Sequence, residues 1–551
     1  MESYAKGETE PVLLEETVGS NLDRTVARFP DREALVEFAT GSRWTWREFD
    51  RSVELVARGL IAAGIEKGDR VGIWGPNSAR WTIAQYATAK IGAILVNVNP
   101  AYRTHEFSYV VSQSGMRLLI SATSFKTSDY RGMIEETMST GSAVGGLLER
   151  VIYLDTDDWD ALVAKGEALD ADVLNVRKRT LEPGDPINIQ YTSGTTGRPK
   201  GATLSHRNIL NNGYLVTELI GFTEQDRLCI PVPFYHCFGM VMANLGCTTH
   251  GTTMVIPSPG FDPEITLRAV AEERCTAVYG VPTMFIAMQH SPTFADHDLL
   301  SLRTGIMAGS ICPVEVMKRC INDMHMEAAS IAYGMTETSP VSCQTRAGDD
   351  LDRRTSSIGR VHPHVEIKIV DPATGETVER GRPGEFCTRG YSVMLGYWDD
   401  PEKTADALDA DGWMHTGDLA EMRDDGYCTI VGRIKDMVIR GGENIYPREI
   451  EEFLYSHPDI EDVQVIGVPD EKYGEELCAW IKLRDGADPL DADGVRAFAT
   501  GKLAHYKIPR YVLLVDAFPM TVTGKIRKVQ MREETTARLG LAGAGHGPSG
   551  S

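Results

Sequence analysis

Hydrophobic positions divide the first part of the chain into short apolar runs separated by polar-faced segments long enough to be helices. The runs are 71–74, 94–98 and 118–120, and each is typical of a strand buried on both faces. Asn77 or Ser78 is predicted to cap the helix after the first run, and Thr104 the helix after the second. Strands separated by helices in this way favour parallel sheets that are covered on both faces.

The same alternation returns between Leu228 and Ala332. Its apolar runs are 253–256, 277–279 and 304–307. We therefore predict an α/β fold with two doubly wound sheets, in which ligands bind at the carboxyl ends of the strands.

The pattern changes near Gly359. Residues 365–370 alternate between apolar and polar, and the runs 385–388 and 427–431 continue the β character. Because turn sequences separate these runs, we predict a small antiparallel β-barrel or sheet at 359–433. It completes an N-terminal domain of residues 1–433.

A third pattern begins after Lys435. Pro447 is predicted to begin a helix, since proline is tolerated at the first helical position. Predicted strands at 463–468, 478–483 and 511–515 and a helix at 493–503 follow. We predict a small α+β C-terminal domain at 434–540 and a disordered, glycine-rich tail at 541–551.

Composition and charge narrow the function. The 551 residues carry a net charge of -22, which argues against general binding to nucleic acid or to an anionic membrane. No apolar run reaches the roughly 18 residues of a membrane span, and the acidic start of the chain does not resemble a secretory signal. We expect a cytoplasmic protein without integral membrane association. The ten cysteines contain no C-x-x-C pair, so their spacing predicts neither a zinc site nor a disulfide framework.

The segment 191–201 reads Tyr-Thr-Ser-Gly-Thr-Thr-Gly-Arg-Pro-Lys-Gly and follows a run in which apolar residues alternate. Its glycines allow backbone N–H groups to face a phosphate chain, while its hydroxyls and Lys200 add donors and a positive charge. It is not a Walker A loop, because Gly201 follows Lys200 where that loop has serine or threonine. A flexible surface loop rich in small residues is the alternative interpretation.

This loop resembles the signature of the adenylate-forming (ANL) superfamily, which includes acyl-CoA synthetases, aryl-CoA ligases and amino-acid adenylation domains. Further segments resemble the other family motifs, in the same order along nearly the whole chain: 233–239, 332–337, 416–418, 432–436 with 441–444, and 519–525. The amino-acid sequences of segments 441–447 and 505–509 resemble those of medium-chain-like fatty acyl-CoA synthetases.

The resemblance implies ATP, Mg²⁺ and coenzyme A as cofactors or co-substrates, and it assigns roles to single residues. Glu337 would bind Mg²⁺, Thr336 would lie near the α-phosphate, and His236 would belong to a gate beside the acyl carboxylate. The residues implied to hold the phosphates are Thr192, Ser193, Gly194, Thr195, Thr196, Gly197 and Lys200.

For the nucleoside, the resemblance implies that Tyr333 and Gly334 contact adenine on one side, with Gly309 and Ser310 on the other. It also implies that Asp418 and Arg433 bind the ribose hydroxyls, as a carboxylate acceptor and a guanidinium donor.

Three further roles concern the C-terminal domain. Lys525 would bridge the acyl carboxylate and the α-phosphate, Lys435 would be the hinge about which this domain rotates, and Gly441 and Gly442 would approach the pantetheine channel.

The implied reaction is activation of a fatty acid to its acyl-adenylate with release of pyrophosphate, then transfer to coenzyme A. The partners are small molecules. An amino-acid adenylation domain is disfavoured, because no acidic residue lies between Phe234 and Met240 to pair a substrate ammonium. An aryl-CoA ligase remains an alternative, as does a non-catalytic binding protein that has kept the fold.

Overall fold

The computed structural model describes residues 1–139, 148–192, 199–310, 312–440, 443–520 and 526–541, and only the backbone of residues 443 and 444. Its helices and strands confirm the predicted α/β fold class.

The helices follow one another in this order: α1 (Val18–Arg28), α2 (Trp46–Ala62), α3 (Ala79–Ile91), α4 (Thr104–Ser114), α5 (Tyr130–Ser139), α6 (Asp157–Ala168), α7 (Ala171–Lys178), α8 (His206–Glu218), α9 (Gly246–His250), α10 (Pro263–Glu272), α11 (Pro282–Gln289), α12 (Val314–Asn322), α13 (Leu351–Ser356), α14 (Pro401–Ala407), α15 (Pro447–Leu454), α16 (Ala492–Ala499) and α17 (Lys528–Leu539).

The strands are β1 (Tyr4–Lys6), β2 (Glu33–Glu37), β3 (Ser42–Thr45), β4 (Arg70–Trp74), β5 (Ile94–Asn97), β6 (Leu118–Ser121), β7 (Ser124–Phe125), β8 (Ser128–Asp129), β9 (Arg150–Tyr153), β10 (Pro186–Thr192), β11 (Lys200–Ser205), β12 (Arg227–Cys229), β13 (Thr253–Ile256), β14 (Ala277–Gly280), β15 (Thr304–Ala308), β16 (Ala328–Gly334), β17 (Val341–Gln344), β18 (Arg360–Val361), β19 (Val365–Val370), β20 (Gly384–Gly390), β21 (Gly396–Tyr397), β22 (Met414–Met422), β23 (Cys428–Arg433), β24 (Val438–Arg440), β25 (Glu443–Ile445), β26 (Ile460–Asp470), β27 (Gly474–Leu483) and β28 (Tyr511–Leu514).

Two large sheets form the core of the first part of the chain. One has the order β21-β11-β10-β5-β4-β6-β9 and the other β18-β17-β16-β15-β14-β12-β13-β2-β3. Helix α3 contacts β5 of the first sheet and β2 of the second, which explains why nearly all of its side chains are buried. Ser78 caps this helix by accepting a hydrogen bond from the Trp81 backbone N–H, as predicted.

A smaller antiparallel sheet lies where the sequence pattern changes to period two. Its order is β1-β19-β20-β22-β23. The N-terminal strand β1 is therefore an edge strand of this sheet, which the sequence pattern did not predict. The predicted strand at 365–370 coincides with β19, whose apolar side chains are buried.

The last sheet belongs to the C-terminal part of the chain, with the order β25-β24-β27-β26 and with β28 parallel to β27. Pro447 is the first residue of α15, as predicted. Leu541 packs against the apolar cluster beneath α17, and residues 542–551 of the predicted tail lie outside the described residues.

One predicted cap is wrong. Helix α4 begins at Thr104 itself, and Arg103 occupies the N-cap position. The Thr104 hydroxyl instead donates to Glu136 Oε2 at 2.8 Å, because α4 and α5 pack side by side and a hydrogen bond to a charged carboxylate is strong.

Among the described residues, no helix is both long and apolar enough to cross a membrane. All ten cysteines are described, and each is a buried free thiol.

Candidate active site

A buried carboxylate lies where the two large sheets meet. Glu337 sits in a 3₁₀ turn, Thr336–Thr338, directly after β16, and only 4% of it is exposed. Thr192 ends β10 in the other sheet, and its hydroxyl donates to Glu337 Oε1 at 3.2 Å. The two predicted phosphate and metal segments are therefore adjacent at the carboxyl ends of their strands.

Tyr397 is the residue of this cluster that the sequence analysis missed. It lies on β21, opposite Ala202 of β11, and its hydroxyl donates to Glu337 Oε1 at 2.9 Å. The Lys200 ammonium lies 4.7 Å from the centre of the Tyr397 ring, within reach of a cation–π contact. One tyrosine thus contacts both the predicted metal carboxylate and the predicted phosphate lysine.

Backbone hydrogen bonds fix this tyrosine in place. The Met394 N–H donates to the Glu337 carbonyl at 2.9 Å, and the Trp398 N–H donates to the Gly201 carbonyl at 2.7 Å. The sequence around Tyr397, Gly396-Tyr397-Trp398, matches no motif that would indicate a catalytic or binding role. Its role becomes visible only when β21 pairs with β11.

The second oxygen of Glu337, Oε2, accepts no hydrogen bond from any described residue. A carboxylate with one oxygen held and the other available suits Mg²⁺, which takes one or two protein carboxylates and keeps its other positions for phosphate and water. The arrangement around Glu337 therefore fits the metal that the resemblance implies.

A second cluster surrounds Asp418. Because β22 pairs with β23, Asp418 lies opposite Arg433, whose Nε is 2.7 Å from Asp418 Oδ1. The Tyr333 hydroxyl donates to the other oxygen, Oδ2, at 2.7 Å. Burial, and then the charge of Asp418, raise the pKa of Tyr333, so this hydroxyl stays a donor. Three of the residues predicted for the nucleoside are thus in direct contact.

This contact changes what Asp418 can offer. Each of its oxygens already accepts one hydrogen bond within the protein, so a sugar hydroxyl must use a remaining lone pair. The Arg433 side chain is 62% exposed and has donors to spare for the same sugar.

The adenine segments also lie side by side. Strands β15 and β16 are parallel neighbours with Ala308 opposite Ala332, so Gly309 and Ser310 leave one strand beside the end of the other. At Gly334 a side chain is excluded, because its Cβ would lie 1.7 Å from the Pro340 carbonyl oxygen. The backbone can approach closely here for that reason.

The gate segment leads into a π-helical turn, Phe238–Leu245, a rare form that often marks functional sites. Half-buried His236 precedes it, and its Nδ1 accepts a hydrogen bond from the Phe238 N–H at 3.3 Å. Next to it, Cys237 donates to Gln190 Oε1 at 3.1 Å. Burial and the charge of Glu337 raise the pKa of Cys237 to about 12, which makes this thiol unsuited to act as a nucleophile.

Lys435 lies in the 3₁₀ turn Ile434–Asp436, immediately after Arg433, where the chain passes into the C-terminal sheet. Across this junction, the Arg448 guanidinium of α15 donates to the Ile430 carbonyl of β23. The C-terminal part therefore contacts the strand that carries the predicted ribose arginine.

Several predicted site residues lie outside the described residues, and their roles stay predictions. They are Ser193, Gly194, Thr195, Thr196 and Gly197 of the phosphate loop, Gly441 and Gly442, and Lys525.

Comparison with family models gives the class of protein. The AMP-binding enzyme model matches residues 22–398, and the model of the AMP-binding enzyme C-terminal domain matches residues 449–525. The chain belongs to the AMP-binding enzyme family.

Curated relatives span nearly the whole chain. It is 48% identical to a putative acyl-CoA synthetase, YngI, of Bacillus subtilis over 96% of this chain and 99% of that protein. It is 46% identical to the mitochondrial medium-chain acyl-CoA ligase ACSF2 of Danio rerio over 98% of this chain and 91% of that protein.

Solved structures share the fold. ATP-bound MatB from Rhodopseudomonas palustris superposes with a TM-score of 0.84 at 28% identity, over 96% of this chain and 100% of that one. A fatty acyl CoA synthetase of Mycobacterium tuberculosis gives a TM-score of 0.74 at 30% identity, over 95% of this chain and 99% of that one.

Proposed function

We propose that this protein is a medium-chain fatty acid–CoA ligase that uses ATP with Mg²⁺. As an AMP-forming acid–CoA ligase it joins a carboxylic acid to AMP with release of pyrophosphate, and then transfers the acyl group to coenzyme A. The observation that carries the proposal is the buried Glu337 carboxylate, which Thr192 and Tyr397 hold beside Lys200 and whose Oε2 has no donor among the described residues.

Electrostatics explain why this cluster suits the first step. A carboxylate is repelled by the triphosphate that it must attack, so negative charge has to be offset before the two can meet. Lys200 supplies one positive charge from the protein, and Thr192 supplies a hydroxyl donor. Bound at Glu337, Mg²⁺ would neutralise charge on the pyrophosphate leaving group.

The Asp418 cluster orients the nucleotide. Asp418 accepts hydrogen bonds from the sugar hydroxyls, while Arg433 donates to them and Tyr333 presents its ring to the base. These contacts hold the α-phosphorus in line with the attacking acyl oxygen, which His236 borders. Correct alignment alone can lower such a barrier by several kcal/mol, on the order of 7–11 at best.

Different residues of the C-terminal part serve the two half-reactions. Lys525 stabilises the charge that develops while the acyl-adenylate forms. Rotation at Lys435 then brings Gly441 and Gly442 to the channel through which the coenzyme A thiol enters, where the absence of side chains allows close approach.

The acid is proposed as medium-chain because the sequence relatives over nearly the full chain include several named medium-chain acyl-CoA ligases. An aryl-CoA ligase is the second candidate, since an anthranilate CoA ligase superposes with a TM-score of 0.84 at 26% identity. The cytoplasmic location stays a prediction.

Pyrophosphate release with a graded set of acids tests the proposal. Octanoate and decanoate should give the highest kcat/KM, with acetate, palmitate, benzoate and 4-coumarate well below them, and EDTA should abolish turnover. Acyl-CoA should appear only when coenzyme A is added. A preference for the aryl acids would assign the aryl-CoA ligase function instead, and no pyrophosphate release with any acid would contradict catalysis.

A further inference from the structure

Three side chains of different ligand types meet on the small antiparallel sheet, away from the Glu337 cluster. Because β20 pairs with β22, Cys387 lies directly opposite His415, and its Sγ is 3.5 Å from His415 Nδ1. Glu385, two residues before Cys387, brings its Oε2 to 2.8 Å from the same nitrogen. The three ligand atoms all lie within 4.8 Å of one another.

The sulfur–nitrogen and oxygen–nitrogen separations lie within about half an ångström of those around a tetrahedral zinc ion. Its ligand atoms lie about 3.3–3.7 Å apart, because Zn–N and Zn–O distances are about 2.0–2.2 Å and Zn–S distances about 2.3 Å. The sulfur–nitrogen pair already has this spacing. To bind zinc, the distance between Glu385 Oε2 and His415 Nδ1 must increase by roughly half an ångström. A small rotation of the glutamate side chain can achieve this.

The other nitrogen of the histidine faces a carboxylate at ion-pair distance. His415 Nε2 lies 3.7 Å from Asp409 Oδ2. A carboxylate facing the second nitrogen orients a histidine ring and raises its basicity as a ligand. Asp409 is therefore placed to act as an outer partner while Nδ1 faces the thiol and Glu385.

Two cations lie next to this cluster and both contact Trp413. Lys368 is paired in register with Cys387, and its ammonium lies 4.5 Å from the centre of the Trp413 ring. Arg389 lies over the same ring and also binds Glu366 Oε2 at 2.9 Å. Both cations contact Trp413 and Arg389 also pairs with Glu366, but the Lys368 charge still acts on the Cys387 thiol. The cluster offers a carboxylate and a histidine to a divalent cation in competition with this charge.

The site is open to solvent on one side. The His415 side chain is 32% exposed and that of Glu385 is 13% exposed, whereas Cys387 is buried beneath them. Three ligands with one open direction leave the fourth position of the ion to water, as in zinc sites with three protein ligands.

We propose that Glu385, Cys387 and His415 form a binding site for a zinc ion, with Asp409 orienting the histidine. The cysteine spacing predicted no zinc site, because spacing along the chain does not show ligands that face each other across two strands. The other oxygen of Glu385 accepts a hydrogen bond from the Gly417 N–H at 3.0 Å, one residue before Asp418. The ion would therefore share a carboxylate with the turn that carries the predicted ribose residue.

Cobalt is a direct probe of this site, since a thiolate bound to Co²⁺ gives a charge-transfer band in the near ultraviolet. Nucleotide-free, reduced full-length protein titrated with Co²⁺ should develop this band to saturation at one equivalent, and one equivalent of Zn²⁺ should remove it. Cys387→Ser should abolish the band. Asp409→Asn should retain it but weaken Co²⁺ affinity by about 10–100-fold, as is usual for outer partners of metal ligands.

Cys237→Ala is the matched control, because Cys237 is the buried thiol beside the other candidate divalent site at Glu337, and this variant should keep the full band. His415→Ala, at a partly exposed position, should lose tight binding while its thermal unfolding stays close to that of the parent protein. No thiolate band from the parent protein at stoichiometric Co²⁺, or an equal band from Cys387→Ser, would overturn the proposal.

Discussion

The Tyr397 hydroxyl and the Thr192 hydroxyl donate to the same oxygen of Glu337, at 2.9 and 3.2 Å, although Tyr397 and Glu337 are far apart in sequence. A buried carboxylate needs such donors, because leaving it without partners costs several kcal/mol. Within the described part of the chain, these two bonds leave only Oε2 without a donor. Tyr397 thereby links the strand pair β11–β21 to the predicted metal residue.

Tyr397→Phe removes this donor but keeps the ring that faces Lys200. A hydrogen bond to a charged group contributes about 1.5–3 kcal/mol, so we expect kcat/KM for ATP to fall roughly ten- to a hundredfold. The Mg²⁺ concentration for half-maximal pyrophosphate release should also rise. Tyr391→Phe is the matched control, since the Tyr391 hydroxyl accepts from Asn212 at 3.3 Å, away from Glu337. Equal effects in the two variants would contradict a positioning role for Tyr397.

Glu337→Gln tests the metal role itself. The amide keeps the shape of the side chain but removes the charge that Mg²⁺ prefers, so pyrophosphate release should fall by at least tenfold at limiting Mg²⁺. It should recover in part as Mg²⁺ is raised, because excess ion compensates for weaker binding by mass action. Activity that is unchanged at limiting Mg²⁺ would show that Glu337 is not the metal ligand.

Lys525→Ala separates the two half-reactions. Lys525 is proposed to act only while the acyl-adenylate forms, so pyrophosphate release should drop by orders of magnitude. Thioester formation from a supplied acyl-adenylate should stay largely intact, and acetylation of Lys525 should have the same effect as the substitution, since it removes the charge. Equal losses in both half-reactions would be inconsistent with this assignment.

Sequence patterns predicted the secondary-structure elements that depend only on neighbouring residues. The strand at 365–370 and the start of α15 at Pro447 follow from alternation and from the backbone of proline. The resemblance assigned Asp418 and Arg433 to the same sugar, which implied that they lie close together, and the structure places them in contact. That sugar role itself stays a prediction.

What the sequence could not predict depends on how separate strands pair. Tyr397 reaches Glu337 only because β21 adds to β11, and Cys387 faces His415 only because β20 pairs with β22. Thr104 was assigned to a cap because threonine is favoured there, but packing of α5 against α4 supplied Glu136 as a better partner. For Thr104, a tertiary contact thus overrode a local preference.

His206 gives a pH-dependent contribution to stability. It is fully buried, its Nδ1 accepts from the Val18 N–H at 3.1 Å, and burial lowers its pKa from 6.5 to about 4. The unfolded chain therefore binds more protons than the folded one between pH 6.5 and 4. Stability from this group is complete above pH 6.5 and is lost as pH falls toward 4, by roughly 3 kcal/mol in all.

The His206 effect is measured as a difference between variants, since other groups also titrate in this range. His206→Gln should be less stable than the parent at pH 7.5, and the gap in urea denaturation should narrow as the pH is lowered to 4.5. A gap that stays constant with pH would mean that His206 does not titrate differently in the folded and unfolded chains.

Lys435→Pro is the most demanding test of rotation between the two half-reactions. Lys435 lies in a short 3₁₀ turn directly after Arg433, between the sheet that carries Asp418 and the C-terminal sheet. Domain rotation needs large changes in the backbone dihedrals of one or two residues, and proline fixes φ near about -65° and restricts the residue before it. We therefore expect acyl-adenylate formation to survive and thioester formation from it to fall at least a hundredfold.

Lys435→Ala is the matched control, because it removes the same side chain but leaves the backbone free to rotate, and it should make acyl-CoA at a rate close to that of the parent. Thermal unfolding of both variants must resemble that of the parent protein, since a proline at this junction could also destabilise the fold. Adenylation is the expected survivor because it needs no rotation once ATP is bound. A folded Lys435→Pro protein that makes acyl-CoA at the normal rate would exclude a hinge at this residue, and the second half-reaction would then need a different route to the acyl carbon.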